Sequence, residues 1–143
     1  MTRSQPPTRD DYRWFCGITT RWSDNDVYGH VNNVIYYSYF DSVANRYLIE
    51  EGGLDIHGGE VIGLVVNSGC DYHAPVAYPQ ALAGGLRVER LGNSSVTYGL
   101  AIFADDATRA CASGSFTHVF VDRRRSRPVS IPGPLRAALA VLA

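Results

Sequence analysis

The chain predicts an α+β fold on three observations: one long helical period lies near its start, four strand-like runs follow with no helix between them, and a hairpin turn joins two of those runs. Strands joined directly by short turns pair antiparallel, so the sheet should be mainly antiparallel. The single long helix must then bury its apolar stripe against one face of that sheet. With 143 residues the chain has the length of one domain and no room for a second, cofactor-binding one.

Residues 1–12 (MTRSQPPTRDDY) read as a flexible leader, and 13–143 as the single domain. Trp14 to Trp22 reads as a first strand, with Phe15, Ile18 and two Trp mixed with Thr and Arg. A polar loop follows. From Asn33 the period changes: Tyr36, Phe40, Val43, Ala44, Tyr47 and Leu48 recur at three- and four-residue steps, as on one face of a helix. Asn32 or Asn33 suits its N-cap, and Gly52-Gly53 suits its stop.

The strands come next. Val61 to Tyr72 is a long apolar run broken by His73-Ala74-Pro75, and Leu82 to Leu91 follows a Tyr78-Pro79 turn. Val96, Tyr98, Leu100 and Ile102 alternate with Thr97, Gly99 and Ala101, so that strand has one apolar face. Gly92-Asn93 is the hairpin turn before it, and Asp105-Asp106 the turn after it. Cys111 to Asp122 is a last strand, ending in Arg123-Arg124-Arg125-Ser126-Arg127; Pro132 to Ala143 fits a short helix with Leu135, Leu139 and Leu142 on one side. Such a sheet leaves edge strands open, which predicts pairing with another subunit.

Composition narrows the function. A net charge of −1 argues against a nucleic-acid partner, and the one basic run, Arg123 to Arg127, has no interleaved aromatics. All 13 basic residues are Arg, which carries no functional reading. Cys16, Cys70 and Cys111 are odd in number and far apart, so neither a zinc site nor a disulfide framework is expected. Met1 to Arg13 lacks the apolar run of a signal peptide, and no stretch approaches a membrane span, so a soluble, cytoplasmic protein without a membrane partner is expected.

The chemistry concentrates in the loop, where Asp24, Asp26, Gly29, His30, Asn32 and Asn33 fall within ten positions just before the helix. An acidic side chain placed before a helix start offers a base or nucleophile beside free backbone N–H groups that can stabilise an anion. Asp24 fits a structural part, binding loop N–H groups or pairing with Arg21. His30 can orient substrate or water, or fix the loop by a hydrogen bond; Asn32 can cap the helix or line the pocket. Gly29 suits a backbone conformation or close approach closed to other residues.

These residues carry a family. Asp24-x-Asp26-x-x-Gly29-His30-Val31-Asn32-Asn33-x-x-Tyr36-x-x-Tyr39-Phe40, followed by Leu91-Gly92-Asn93-Ser94-Ser95-Val96, resembles the hotdog-fold acyl-CoA thioesterases of the 4-hydroxybenzoyl-CoA thioesterase type, over about residues 14–133. The resemblance implies a hotdog fold, a long central helix wrapped by a mainly antiparallel five-stranded sheet. It implies hydrolysis of an acyl-CoA thioester in a homodimer or homotetramer, with each site at a subunit interface. No metal or separate cofactor is implied, coenzyme A being part of the substrate.

By position, Asp26 matches the catalytic carboxylate and Asn33 the residue whose backbone N–H polarises the thioester carbonyl, with His30 beside them. Arg90, Gly92, Asn93, Ser94 and Ser95 match a part of the sheet that contacts the CoA moiety, commonly on the partner subunit, and Asn32 is a candidate substrate-binding residue from its place in the loop. Tyr78-Pro79-Gln80 departs from the Tyr-Gly-Asp of many relatives. Two other readings compete: hydration or dehydration of an enoyl thioester on the same fold, and an acyl-thioester binding module without turnover.

Overall fold

The computed structural model describes residues 5–143. Five strands, β1 (Trp14–Thr19), β2 (Val61–Tyr72), β3 (Ala81–Leu91), β4 (Ser95–Ala104) and β5 (Ala112–Asp122), form one sheet in the order β1-β3-β4-β5-β2. Every neighbouring pair is antiparallel. Helix α1 (Ile35–Glu50) packs against this sheet and helix α2 (Gly133–Ala140) closes its end. This is the α+β hotdog arrangement that the element order and the resemblance led us to expect.

The helix period positions the core. Tyr36, Phe40, Val43, Ala44, Tyr47 and Leu48 are all buried, and Phe40, Ala44 and Leu48 meet Leu86, Val96, Leu100 and Phe116 of the sheet in one cluster. The approach is close: a Cβ at Gly84 of β3 would collide with Cγ2 of Val43. Leu135, Leu139 and Leu142 are buried as their spacing predicts. The Leu142 carbonyl accepts the Val88 N–H at 2.9 Å, and the Ala138 carbonyl accepts the Tyr47 hydroxyl at 2.6 Å.

Two segments differ from the strand-and-leader reading. Strand β1 stops at Thr19, and Trp22, expected within it, is 76% exposed in a 3-10 turn spanning Trp22–Asp24. The cause is local: the Asp24 carboxylate draws in the Arg21 N–H at 2.9 Å, which folds the chain back before a further ladder bond can form. Residues 5–12, the described part of the expected leader, lie along the outer sheet face. Thr8 bridges to Arg109, the Ala110 N–H reaches the Pro7 carbonyl at 2.9 Å, and Tyr12 is buried edge-on against Phe103. Residues 1–4 of that leader lie outside the described residues.

One buried polar pair makes the core sensitive to acid. His118 of β5 is 1% exposed, with Nδ1 3.0 Å from the Tyr98 hydroxyl and its ring edge-on to Tyr98, Phe116 and Phe120. Burial pushes its imidazole down from 6.5 to about 4. Between those values the unfolded chain binds a proton that the folded chain does not, so stability is full above the upper value and falls as pH drops towards the lower one. The expected loss is about 3 kcal/mol across that window. His118→Asn, whose Oδ1 can replace Nδ1 as Tyr98's partner, should be less stable at pH 7.5 yet show a flatter slope in urea unfolding followed against pH. An unchanged slope would assign the acid sensitivity to other groups.

Candidate active site

The loop between β1 and α1 is a folded turn. Asn25 and Val31 form an isolated antiparallel bridge, the Asp26 N–H donates to the His30 carbonyl at 3.0 Å, and the Gly29 N–H returns to the Asp26 carbonyl at 3.0 Å. Gly29 closes the turn at φ +84°, with open space where a Cβ would stand, so its requirement is conformational and not steric. From outside, the Val76 carbonyl takes the Val31 N–H at 2.8 Å.

Asp24 anchors the base of the turn and is fully buried. It accepts the Tyr39 hydroxyl at 2.7 Å and the Arg21 N–H on one oxygen, and pairs with the Arg21 guanidinium at 3.1 Å on the other. Burial pushes the Asp24 carboxyl up, but Tyr39 and the Arg21 backbone and guanidinium outweigh it and hold it below its ordinary value. Its stabilisation is therefore present above the ordinary carboxylate range and lost as pH falls below it. Asp24→Asn keeps the volume and loses charge-assisted bonds, so it should cost about 2–3 kcal/mol in urea unfolding. A cost near zero would remove Asp24 as the anchor.

Asp26 is half-buried and lines a cleft beside the helix start. Its Oδ1 accepts the Tyr28 N–H at 2.9 Å, and its Oδ2 accepts Nδ2 of Asn32 at 3.2 Å. The other end of the Asn32 amide caps the helix start, Oδ1 accepting the Val34 N–H at 3.0 Å. Of the two readings of Asn32, capping the helix or lining the pocket, its hydrogen bonds fit the first: both ends of its side chain hold the chain itself, and one of them binds Asp26.

The same turn frees one amide. The Asn32 N–H goes to the Asp24 carbonyl and the Ile35 N–H to the Asn32 carbonyl, each at 2.9 Å, and the Val34 N–H is capped. Among the described residues the Asn33 N–H has no acceptor. A trans peptide places C=O and N–H on opposite sides, so with the Asn32 carbonyl turned towards Ile35 the Asn33 N–H points away from the helix. It lies at the helix start, where the dipole also favours negative charge.

Asp26, His30 and Asn33 line a cleft of about 550 Å³ whose far wall is Tyr36, Tyr72, His73 and Pro75. The His30 ring is exposed and has no hydrogen-bond partner among the described residues; its carbonyl, not its ring, holds the loop. Tyr72 and His73 were not anticipated. The Tyr72 hydroxyl donates to the Asn33 carbonyl at 2.9 Å, and Nε2 of His73 lies 2.8 Å from the Ser113 hydroxyl. Burial raises both the Tyr36 and the Tyr72 phenols, so at neutral pH they are protonated donors. The sequence signal was the break Tyr72-His73-Ala74-Pro75 at the end of an apolar strand.

Arg90, Gly92, Asn93, Ser94 and Ser95 lie elsewhere in this chain. Tyr72 sits level with Ala112 and Ile102, whereas Ser95 pairs with Val119, seven residues along β4 and roughly 23 Å away at the rise of a strand. The hairpin carbonyls of Gly92 and Asn93 are held by the Arg136 guanidinium at 2.7 and 2.8 Å. At the same sheet end is the arginine run, in which Arg123 is engaged with the Ile56 and Gly59 carbonyls. Arg90, Arg124, Arg125 and Arg127 have no ion-pair partner among the described residues.

Comparison with known proteins gives a consistent answer. Residues 20–139 match the family described as the thioesterase-like superfamily. The chain is similar to the crystallised PA5185 protein of Pseudomonas aeruginosa strain PAO1, at 65% identity and TM-score 0.95, over 96% of each chain. It is similar to the PA2801 protein of Pseudomonas aeruginosa at 30% identity and TM-score 0.79, over 87% of this chain and 95% of that one. The 1,4-dihydroxy-2-naphthoyl-CoA thioesterase Slr0204 of Synechocystis shares the fold at 15% identity and TM-score 0.79, over 88% of this chain and 94% of that one.

Proposed function

The chain belongs to the thioesterase-like superfamily, and we propose that it hydrolyses acyl-CoA thioesters, with Asp26 as base or nucleophile and the Asn33 N–H as the oxyanion donor. The observation that carries this reading is their meeting on one cleft, joined through Asn32. Attack on the thioester carbonyl moves negative charge to its oxygen, where a fixed N–H at a helix start stabilises it without reorganising. As a base, Asp26 takes the proton of an attacking water and returns it to the departing thiolate. As a nucleophile, it forms a mixed anhydride with loss of the thiolate, and water then cleaves the anhydride. Hydrolysis in oxygen-18 water separates the two, since only the anhydride route can leave solvent oxygen in the Asp26 carboxylate.

We infer that the working unit is a homodimer or a tetramer built from it. Strand β2 is an edge, and Leu64, Val65 and Val66 are 41%, 47% and 59% exposed at its centre, beyond the cover of α1. An open apolar edge is completed by a second strand. Antiparallel pairing of β2 with its own copy sets the Val61 end of one strand beside the Tyr72 end of the other. The partner's hairpin and arginine turn then approach this chain's cleft, which reconciles the two separated groups of expected site residues. The unpaired guanidinium groups there favour coenzyme A, whose phosphates they can bind.

The testing experiment is free-thiol release from a panel of aliphatic and aromatic acyl-CoAs. Turnover of at least one member supports hydrolysis. Hydration of an enoyl thioester leaves the thioester intact and releases no thiol, so a panel without release would contradict the reading.

A further inference from the structure

Resting on the assignment of Asp26 and Asn33, we propose that Tyr72 is a positioning residue: its hydroxyl bond to the Asn33 carbonyl holds the turn that aims the Asn33 N–H into the cleft. Local bonds give this turn its shape. The Asn32 carbonyl holds the Ile35 N–H and the Asn32 side chain holds the Val34 N–H, all within four residues. Those bonds do not fix where the turn stands relative to the sheet. Asn33 itself is exposed, and among the described residues its only hydrogen bond is the 2.9 Å one from Tyr72, which arrives from the last residue of β2, 39 positions away.

The two peptide groups flanking the Asn33 Cα are thus pinned from opposite sides, one by Ile35 and one by Tyr72. Tyr72 is braced in turn. Its ring meets Tyr36, in the first turn of α1, edge-on at 5.3 Å, so strand end, helix start and turn form a closed set of contacts. An oxyanion donor is effective when it is already aimed at the place where charge develops, within about half an ångström. Tyr72 also ties that donor to the edge strand that carries the inferred dimer contact.

Tyr72→Phe tests the bond, because it keeps the ring against Tyr36 and removes only the hydroxyl. We expect kcat for the best acyl-CoA to fall about tenfold, as for loss of one hydrogen bond acting at the transition state. KM should stay within about twofold, since the hydroxyl is engaged with the chain and not with substrate. Thermal stability and oligomeric state should be unchanged, while amide hydrogen exchange at Val34 and Ile35, the bonded amides of the turn, should accelerate. Unchanged kcat, or a rise in KM in its place, overturns the proposal. Asp26→Asn, assayed alongside, keeps the two questions apart: if it is inactive while Tyr72→Phe matches the wild type, only the role of Tyr72 fails. If the wild type itself releases no thiol, the hydrolase reading fails and the exchange measurement decides for Tyr72, with unaltered exchange overturning it.

Discussion

Asp26→Asn is expected to reduce thioester hydrolysis by about a thousandfold or more, the loss typical of removing a general base or nucleophile. The substitution is close to isosteric and Asp26 is half-buried, so stability should change by no more than about 1 kcal/mol. An asparagine oxygen can still accept one of the two bonds now made by the Tyr28 N–H and the Asn32 amide. What it lacks is the charge that can take a proton or attack a carbonyl. The loss should therefore appear in kcat, with binding of the acyl-CoA largely retained. Asp24→Asn, two residues away, should behave in the opposite way, losing stability first, because its carboxylate faces Tyr39 and Arg21 and not the cleft.

Val66→Lys should break the assembly and with it the activity. Val66 is 59% exposed and sits at the register break between Val65 and Asn67, without a ladder partner on β5. In an isolated chain a lysine there faces water and should alter stability by about 0.5 kcal/mol or less. Near the middle of a self-paired strand the same lysine meets its own copy, so one substitution places two like charges at the centre of an apolar contact. We expect a folded monomer by size-exclusion chromatography with light scattering, and thiol release reduced by about a hundredfold, because the partner's hairpin no longer reaches the cleft. A Val66→Lys protein that keeps its oligomeric state would contradict pairing through β2.

Much of this arrangement is legible in the sequence where a local pattern has one physical outcome. The three- and four-residue spacing of Tyr36 to Leu48 permits one buried helix face, and that face is the one against the sheet. Asp24 could be read as structural because an acid three residues after Arg21 has donors within reach of its own turn. Of the misreadings, one is local in origin and the other two are tertiary. Trp22 has strand propensity, but a single carboxylate two residues on diverts the chain into a turn. Nothing periodic in residues 5–12 signals that Tyr12 is seated on Phe103 across the sheet. Arg123 looks like one of a solvated run, yet it clamps the Ile56 and Gly59 carbonyls of a distant loop.

The site divides in the same way. The acid, the glycine at positive φ and the helix start are neighbours in sequence, so their convergence could be foreseen from spacing alone. Tyr72 and His73 reach the same cleft only because β2 ends beside the helix start, a relation that no window of the sequence contains. The hairpin around Gly92 and Asn93 carries a motif without an address within its own chain. In the dimer proposed above, a partner would bring that hairpin to the cleft, and the exposed centre of β2 is the observation behind that proposal.

The most direct measurement is steady-state thiol release across the acyl-CoA panel by the wild type and by Asp26→Asn at matched oligomeric state. The account predicts turnover of at least one acyl-CoA by the wild type and near-complete loss in the variant. Equal rates in the two proteins, or no release by either, would contradict it.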